Sequence, residues 1–171
     1  MLRDALASHD VVLWIDADAV IVDGTRDIAD EPAPDRFLGL VRHGEVPNTG
    51  VMLLRAGNLA RDLLDRTWSA TRLIHHPWWE NAALLDALGY DLPGALEPGL
   101  RGRGQRLAAR LAGREPRRFR PARASPFTEG TQFLPLEWNS VYLHQAGRPR
   151  IVHCLGVPVE QRMRDMRAAL S

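Results

Sequence analysis

Val11-Val12-Leu13-Trp14-Ile15-Asp16-Ala17-Asp18-Ala19-Val20-Ile21 sets two aspartates between two apolar runs. Its first five residues form an apolar, β-branched-rich run without alternation. Such a run reads as a strand covered on both faces, and so as a central strand of a sheet. Asp16 and Asp18 follow directly. In extended backbone, residues two apart point to one face, so both carboxylates reach a common point just past the end of the strand. Open α/β sheets bind ligands at that edge. Two carboxylates so close repel each other unless a cation lies between them. Hard divalent cations such as Mn²⁺ or Mg²⁺ prefer oxygen ligands and bind through one or two carboxylates plus substrate phosphates. An isolated Asp-x-Asp reads as two solvated turn aspartates. The apolar runs on both sides favour the metal reading, because carboxylates wedged between them need a compensating partner.

Outward from this strand the chain alternates short strands and helices. Residues 2–8 read as the end of a helix. A proline-rich loop, Glu31 to Pro34, precedes a second strand at Phe37 to Val41. Pro47-Asn48-Thr49-Gly50 reads as a turn, and Val51 to Leu54 as a third strand. Asn58 is placed to cap a helix with Leu59, Leu63, Leu64 and Trp68 at helical spacing. Pro77 opens a further helix through Glu80, Leu84, Leu85 and Leu88, which Gly89 ends. His75-His76 ahead of it reads as loop, since adjacent side chains rarely converge on one ion. Thr131 to Leu136 restores order, Ile151 to Cys154 is a last strand, and Pro158 opens an amphipathic helix through Met163, Met166 and Leu170. The pattern predicts one α/β domain over residues 1–171.

Between Arg101 and Arg123 nine arginines face a single acid, Glu115. Residues 98–128 are therefore expected to form an Arg-rich loop within the domain, with one or two helical turns at most near Leu107 to Leu111. Only Phe119 supplies an aromatic ring there, too few for a single-strand nucleic-acid platform. The net charge of +1 gives no global attraction to nucleic acid either. The single cysteine, Cys154, leaves no intrachain disulfide. No apolar run is long enough for a membrane span, and Met1 to Asp10 lacks the apolar stretch of a signal peptide. A cytoplasmic location is expected, with any membrane association through a partner.

Several segments together resemble the metal-dependent glycosyltransferases of the GT-A fold, the galactosyl, mannosyl and xylosyl transferases. Val12 to Ile21 resembles their metal-binding strand. Asn48-Thr49-Gly50-Val51-Met52-Leu53-Leu54-Arg55 is similar to their Asn-x-Gly-apolar-apolar strand near the donor and acceptor sugar. Trp78-Trp79-Glu80-Asn81-Ala82-Ala83-Leu84 is similar to a helix start of the type acid-Gln-x-Ala-Leu, with Asn81 in place of the usual Gln. Leu134-Pro135-Leu136-Glu137-Trp138-Asn139 is similar to the Leu-Pro-x-x-Trp-Asn segment of related retaining enzymes. Ile151-Val152-His153-Cys154-Leu155-Gly156 is similar to the late strand whose histidine supplies a further metal ligand. The segments fall in the family's order and cover roughly residues 10–158. The resemblance implies a GT-A-like mixed sheet flanked by helices. It also implies an N-terminally truncated one, since only about ten residues precede the Asp-x-Asp strand where the family has a further strand and helix.

The resemblance further implies roles for these residues. Asp16, Asp18 and His153 would hold Mn²⁺ (or Mg²⁺) on the diphosphate of a UDP- or GDP-sugar. Glu80 and Asn81 would act on the sugar or acceptor. Ala17, Asn48, Thr49, Gly50, Trp79 and Asn139 would line the substrate site. The acceptor would be a glycan or another hydroxyl, the sugar a hexose or pentose such as galactose, and the outcome retention. Each residue also has a plainer reading. His153 serves as a hydrogen-bonded core histidine, Glu80 as an acid favoured by the helix dipole, and Asn48 as a turn residue. A haloacid-dehalogenase-like phosphatase also fits Asp16-Ala17-Asp18. That chemistry needs a Lys and a later acidic pair, and the chain has no Lys. A third reading is an inactive fold remnant that serves only as an interaction module.

Overall fold

The computed structural model describes residues 1–92 and 121–170. Most of the predicted Arg-rich loop, with its helical turns near Leu107, lies outside the described residues. In its described part, Pro126–Glu129 form a short helix.

In chain order the elements are α1 (Leu2–Ser8), β1 (Val11–Ile15), β2 (Ala19–Ile21), β3 (Leu38–His43), β4 (Val46–Arg55), α2 (Asn58–Trp68), α3 (Trp79–Ala87), α4 (Pro126–Glu129), β5 (Thr131–Leu134), β6 (Ile151–His153) and α5 (Val159–Ala169). Four strands form a mixed sheet in the order β1-β4-β3-β5. The β1–β4 and β3–β4 pairs are antiparallel, and β3–β5 is parallel. β2 and β6 form a separate antiparallel ribbon.

Both faces of the larger sheet are covered. On one face Leu38, Leu40, Met52 and Leu54 pack with α2 and α3 through Leu63, Leu84, Leu85 and Leu88. On the other, Val41, Val51, Leu53 and Leu134 pack with Ile28, Trp138 and Ile151. Val12 and Trp14 join the first core, while Val11, Leu13 and Ile15 join the second. The unbroken apolar run of β1 thus reflects two covered faces, as its composition predicts. Its expected central position does not hold among the described residues: β1 pairs only with β4 and lies at the sheet edge, half-buried throughout.

The expected turn at Pro47–Gly50 is a second correction. The hairpin reverses earlier, at Gly44-Glu45, and residues 47–50 belong to β4. Leu40 is opposite Met52, but the next residue, Val41, is opposite Asn48, so β4 carries three extra residues against β3. This is a bulge, and the Asn-Thr-Gly composition that reads as a turn marks the irregularity that makes it. Gly89 does end the helix before it. Its φ of +83° lies in the left-handed region, and a Cβ there would lie 2.4 Å from the Arg123 carbonyl oxygen. Asn58 is the first helical residue of α2, and Gly57 is the N-cap. α5 forms as predicted but buries none of its residues.

A candidate metal and diphosphate site

The site forms where β1 ends. The Asp16 N–H donates to the Gly50 carbonyl at 2.8 Å, so the β1–β4 ladder continues one residue past Ile15. The Trp14 indole Nε1–H donates to Asp16 Oδ1 at 2.9 Å and orients that carboxylate. The chain then crosses to the β2–β6 ribbon, whose register sets Ala19 opposite His153. The Cys154 N–H donates to the Asp18 carbonyl at 2.9 Å. Strand pairing thus sets a residue 135 positions later beside the Asp-x-Asp turn (153 − 18).

One donor atom each from Asp16, Asp18 and His153 lies within 4.8 Å of the others. His153 Nε2 is 3.1 Å from Asp18 Oδ1 and 3.8 Å from Asp16 Oδ2. The ring is 1% exposed, and Nε2 has no hydrogen-bond partner. A buried polar atom without a partner carries a cost of about 1–3 kcal/mol. Two carboxylate oxygens and an imidazole nitrogen around one point form a donor set suited to a divalent cation. The residues therefore fit the metal that the resemblance implies.

Around this cluster, the bulge of β4 and the segment before β6 supply the supports. Asn48 Oδ1 accepts from the Gly50 N–H at 2.8 Å and from Asn139 Nδ2 at 2.8 Å. Asn139, with none of its surface exposed, contacts His153 Nδ1 through Oδ1 at 3.0 Å. Gly50 makes this geometry possible. A Cβ at that position would lie 2.1 Å from His153 Cε1 and 2.5 Å from Nδ1. Thr49 is buried beside it, and Ala17 is exposed at the apex of the Asp-x-Asp turn.

Two participants carry no signal in the sequence. His43 Nε2–H donates to the Asn139 carbonyl at 2.7 Å, and its ring stacks on His144 with centroids 5.5 Å apart. Burial holds the His43 pKa below the usual 6.5, against the pull of that hydrogen bond, and the nearby His144 and His153 add to the lowering. Arg162 of α5 pairs through NH1 with Asp18 Oδ2 at 3.2 Å. Neither follows from spacing, because hairpin pairing and helix docking bring them in.

Trp79, Glu80 and Asn81 occupy the first turn of α3. Among the described residues, no hydrogen bond or ion pair links them to the Asp16–Asp18–His153 cluster, and they are not part of that group. Trp79 is 69% exposed and has φ +42°, a strained conformation for a bulky residue. Glu80 is exposed, and Asn81 Oδ1 is buried without a hydrogen-bond partner. Among the described residues, no further acidic pair of the kind a phosphatase would need gathers at the site. Asp62 and Asp65 lie on α2, where Asp65 pairs with Arg3 at 2.8 Å.

No protein-family model and no curated protein matches the chain. Solved structures do resemble it. One is a glycosyltransferase involved in the glycosylation of the major capsid of PBCV-1, at a TM-score of 0.54 and 15% identity, covering 98% of this chain and 70% of that one. Another is an active-site mutant of LgtC, at a TM-score of 0.50 and 13% identity, covering 99% of this chain and 65% of that one. The fold is GT-A-like, a mixed sheet flanked by helices. Among the described residues, no helix is long and apolar enough to cross a membrane.

Proposed function

We propose that this chain carries the catalytic domain of a metal-dependent glycosyltransferase, moving a hexose or pentose from a nucleoside diphosphate sugar to a hydroxyl acceptor such as a glycan, with retention. The observation that carries the reading is the convergence of Asp16, Asp18 and the unpartnered His153 Nε2 at the end of β1. It stands in a GT-A-like fold.

Asp16, Asp18 and His153 would hold Mn²⁺ or Mg²⁺. The bound cation would supply Lewis-acid stabilisation of the negative charge on the departing nucleoside diphosphate. Trp14 keeps one Asp16 oxygen oriented, leaving the other for a ligand. Arg162 balances Asp18 in the absence of a cation and lies close enough to the site to meet an anionic donor. Glu80 and Asn81, at the start of α3, would act on the sugar or acceptor, with the exposed Glu80 steadying positive charge on the sugar. The exposed ring of Trp79 offers a face for stacking on a sugar. Asn48, with Oδ1 already accepting two bonds, retains its Nδ2 for a substrate.

Calorimetric titration of Mn²⁺ into the protein with UDP present, comparing wild type with Asp18→Ala, tests the reading. Metal-dependent UDP binding that the substitution abolishes is the expected result. A folded wild-type protein that binds neither Mn²⁺ nor UDP would overturn it. With a suitable donor sugar, Asp18→Ala is expected to lower the transfer rate by about 10²–10³.

A further inference from the structure

We infer that Asn48 and Asn139 are positioning residues that hold the His153 imidazole in a single tautomer, with the proton on Nδ1 and the lone pair on Nε2, the ring nitrogen next to Asp16 and Asp18. The role as a metal ligand rests on the reading above; the tautomer does not.

Four hydrogen-bonding residues, Gly50, Asn48, Asn139 and His153, connect in series from one fixed point. The Gly50 backbone N–H is a donor and nothing else. The Asn48 atom 2.8 Å from it must therefore be the amide oxygen. That same oxygen meets the Asn139 side chain at 2.8 Å. Since an oxygen there only accepts, Asn139 must present its NH₂. The other amide atom of Asn139 is then its oxygen, which lies 3.0 Å from His153 Nδ1. That nitrogen must donate, so it carries the proton. A neutral imidazole protonated on Nδ1 has its lone pair on Nε2, the atom found buried, without a hydrogen bond, and closest to both carboxylates.

Every link in this chain is locked. Asn139 has no exposed surface, and the His43 Nε2–H holds its backbone carbonyl. The Ser140–β6 bridge fixes the strand beside it, with the His153 N–H donating to the Ser140 carbonyl at 2.8 Å. Turning over either amide would set oxygen against oxygen or N–H against N–H in a buried site. The β4 bulge thus transmits a backbone constraint through two side chains to the face of an imidazole. Partners of this kind, one step behind a ligand, typically change metal affinity 10–100-fold when removed.

Two variants separate positioning from simple packing. Asn48→Ala removes the oxygen that fixes Asn139, freeing that amide to turn over. Asn48→Asp keeps an oxygen that accepts from both Gly50 and Asn139, so it preserves the chain. The primary readout is ¹⁵N–¹H correlation of the imidazole nitrogens in metal-free protein, with the His153 signals identified by their loss in His153→Gln. With the spectra recorded at alkaline pH, where the ring is neutral, wild type and Asn48→Asp are expected to show a proton on Nδ1 only, and Asn48→Ala a mixture of tautomers with Mn²⁺ affinity, in the presence of UDP, lowered about 10–100-fold. A proton on Nε2 in the wild-type ring overturns the inference, and so does an Asn48→Ala spectrum identical to wild type. A wild-type ring protonated on Nδ1 in a protein that binds no Mn²⁺ supports the tautomer relay and overturns the metal reading instead.

Discussion

Gly50 illustrates how one residue controls the site. Its role is neither turn flexibility nor helix breaking but the absence of a side chain where an imidazole crosses the strand. Gly50→Ala forces His153 off the carboxylates or distorts the β4 bulge. Overpacking of this kind costs about 1–3 kcal/mol. Denaturant unfolding is expected to show a loss of that size, with Mn²⁺ binding lost alongside. His43 gives a second prediction at this scale. Its folded pKa lies below the unfolded value of 6.5, so the fold favours the neutral ring. Its contribution to stability is complete above pH 6.5 and lost as pH falls through the lower folded value. His43→Gln is expected to make stability depend less on pH below about 6.5, as followed by urea midpoints across that range.

Among the elements, α3 shows how a helix is tied to a segment far away in sequence. Asp86 accepts from Arg123 at 2.9 Å and pairs with Arg72 at 2.6 Å. Burial alone would raise the Asp86 pKa, but the hydrogen bonds and charges of Arg72 and Arg123 outweigh it and hold it below 3.8. This stabilisation is present above pH 3.8 and is lost as pH falls through the depressed value. Both arginine side chains are more than half exposed, so solvent screening keeps the pairings weak. Asp86→Asn is expected to cost about 1 kcal/mol at neutral pH and nothing in acid, measured by thermal unfolding at both. The packed face of the same helix matters more. Leu85, fully buried between the sheet and α2, is expected to cost about 2–5 kcal/mol as Leu85→Ala.

Across the whole molecule, the site joins two layers that share no strand, the β1–β4 sheet edge and the β2–β6 ribbon. A cation bound by Asp16, Asp18 and His153 would cross-link them. Ligand binding to the folded state alone stabilises by about 2.7 kcal/mol at a hundred times the dissociation constant. Mn²⁺ with UDP is therefore expected to raise the melting temperature of wild type and leave that of Asp18→Ala unchanged, as seen by scanning calorimetry. The same architecture explains which parts of the site were legible in advance. The Asp-x-Asp pair is legible at the end of an apolar strand, although a turn at Ala17 and Asp18, closed by the Ala19 N–H on the Asp16 carbonyl, brings the carboxylates together in place of extended period-two geometry. Its histidine lies 135 residues from Asp18 (153 − 18), and only resemblance to a known segment singled it out.

Local chemistry was legible in the sequence: the two covered faces of Val11 to Ile15, the Asp16–Asp18 pair at the strand end, a helix from Asn58 (ending at Trp68, not near Thr71) and one after Pro77 (starting at Trp79), and the stop at Gly89. Each of these depends on neighbours within a turn or a strand. The tertiary structure alone decided that β1 is an edge strand, that residues 47–50 form a bulge in place of a turn, and that His43 and Arg162 reach the site. Only it could order Gly50, Asn48, Asn139 and His153 into one hydrogen-bonded chain. Strand register and helix docking are properties of surfaces that meet after the chain has folded. The residues that complete this site are therefore neighbours in space whose spacing along the sequence carries no period.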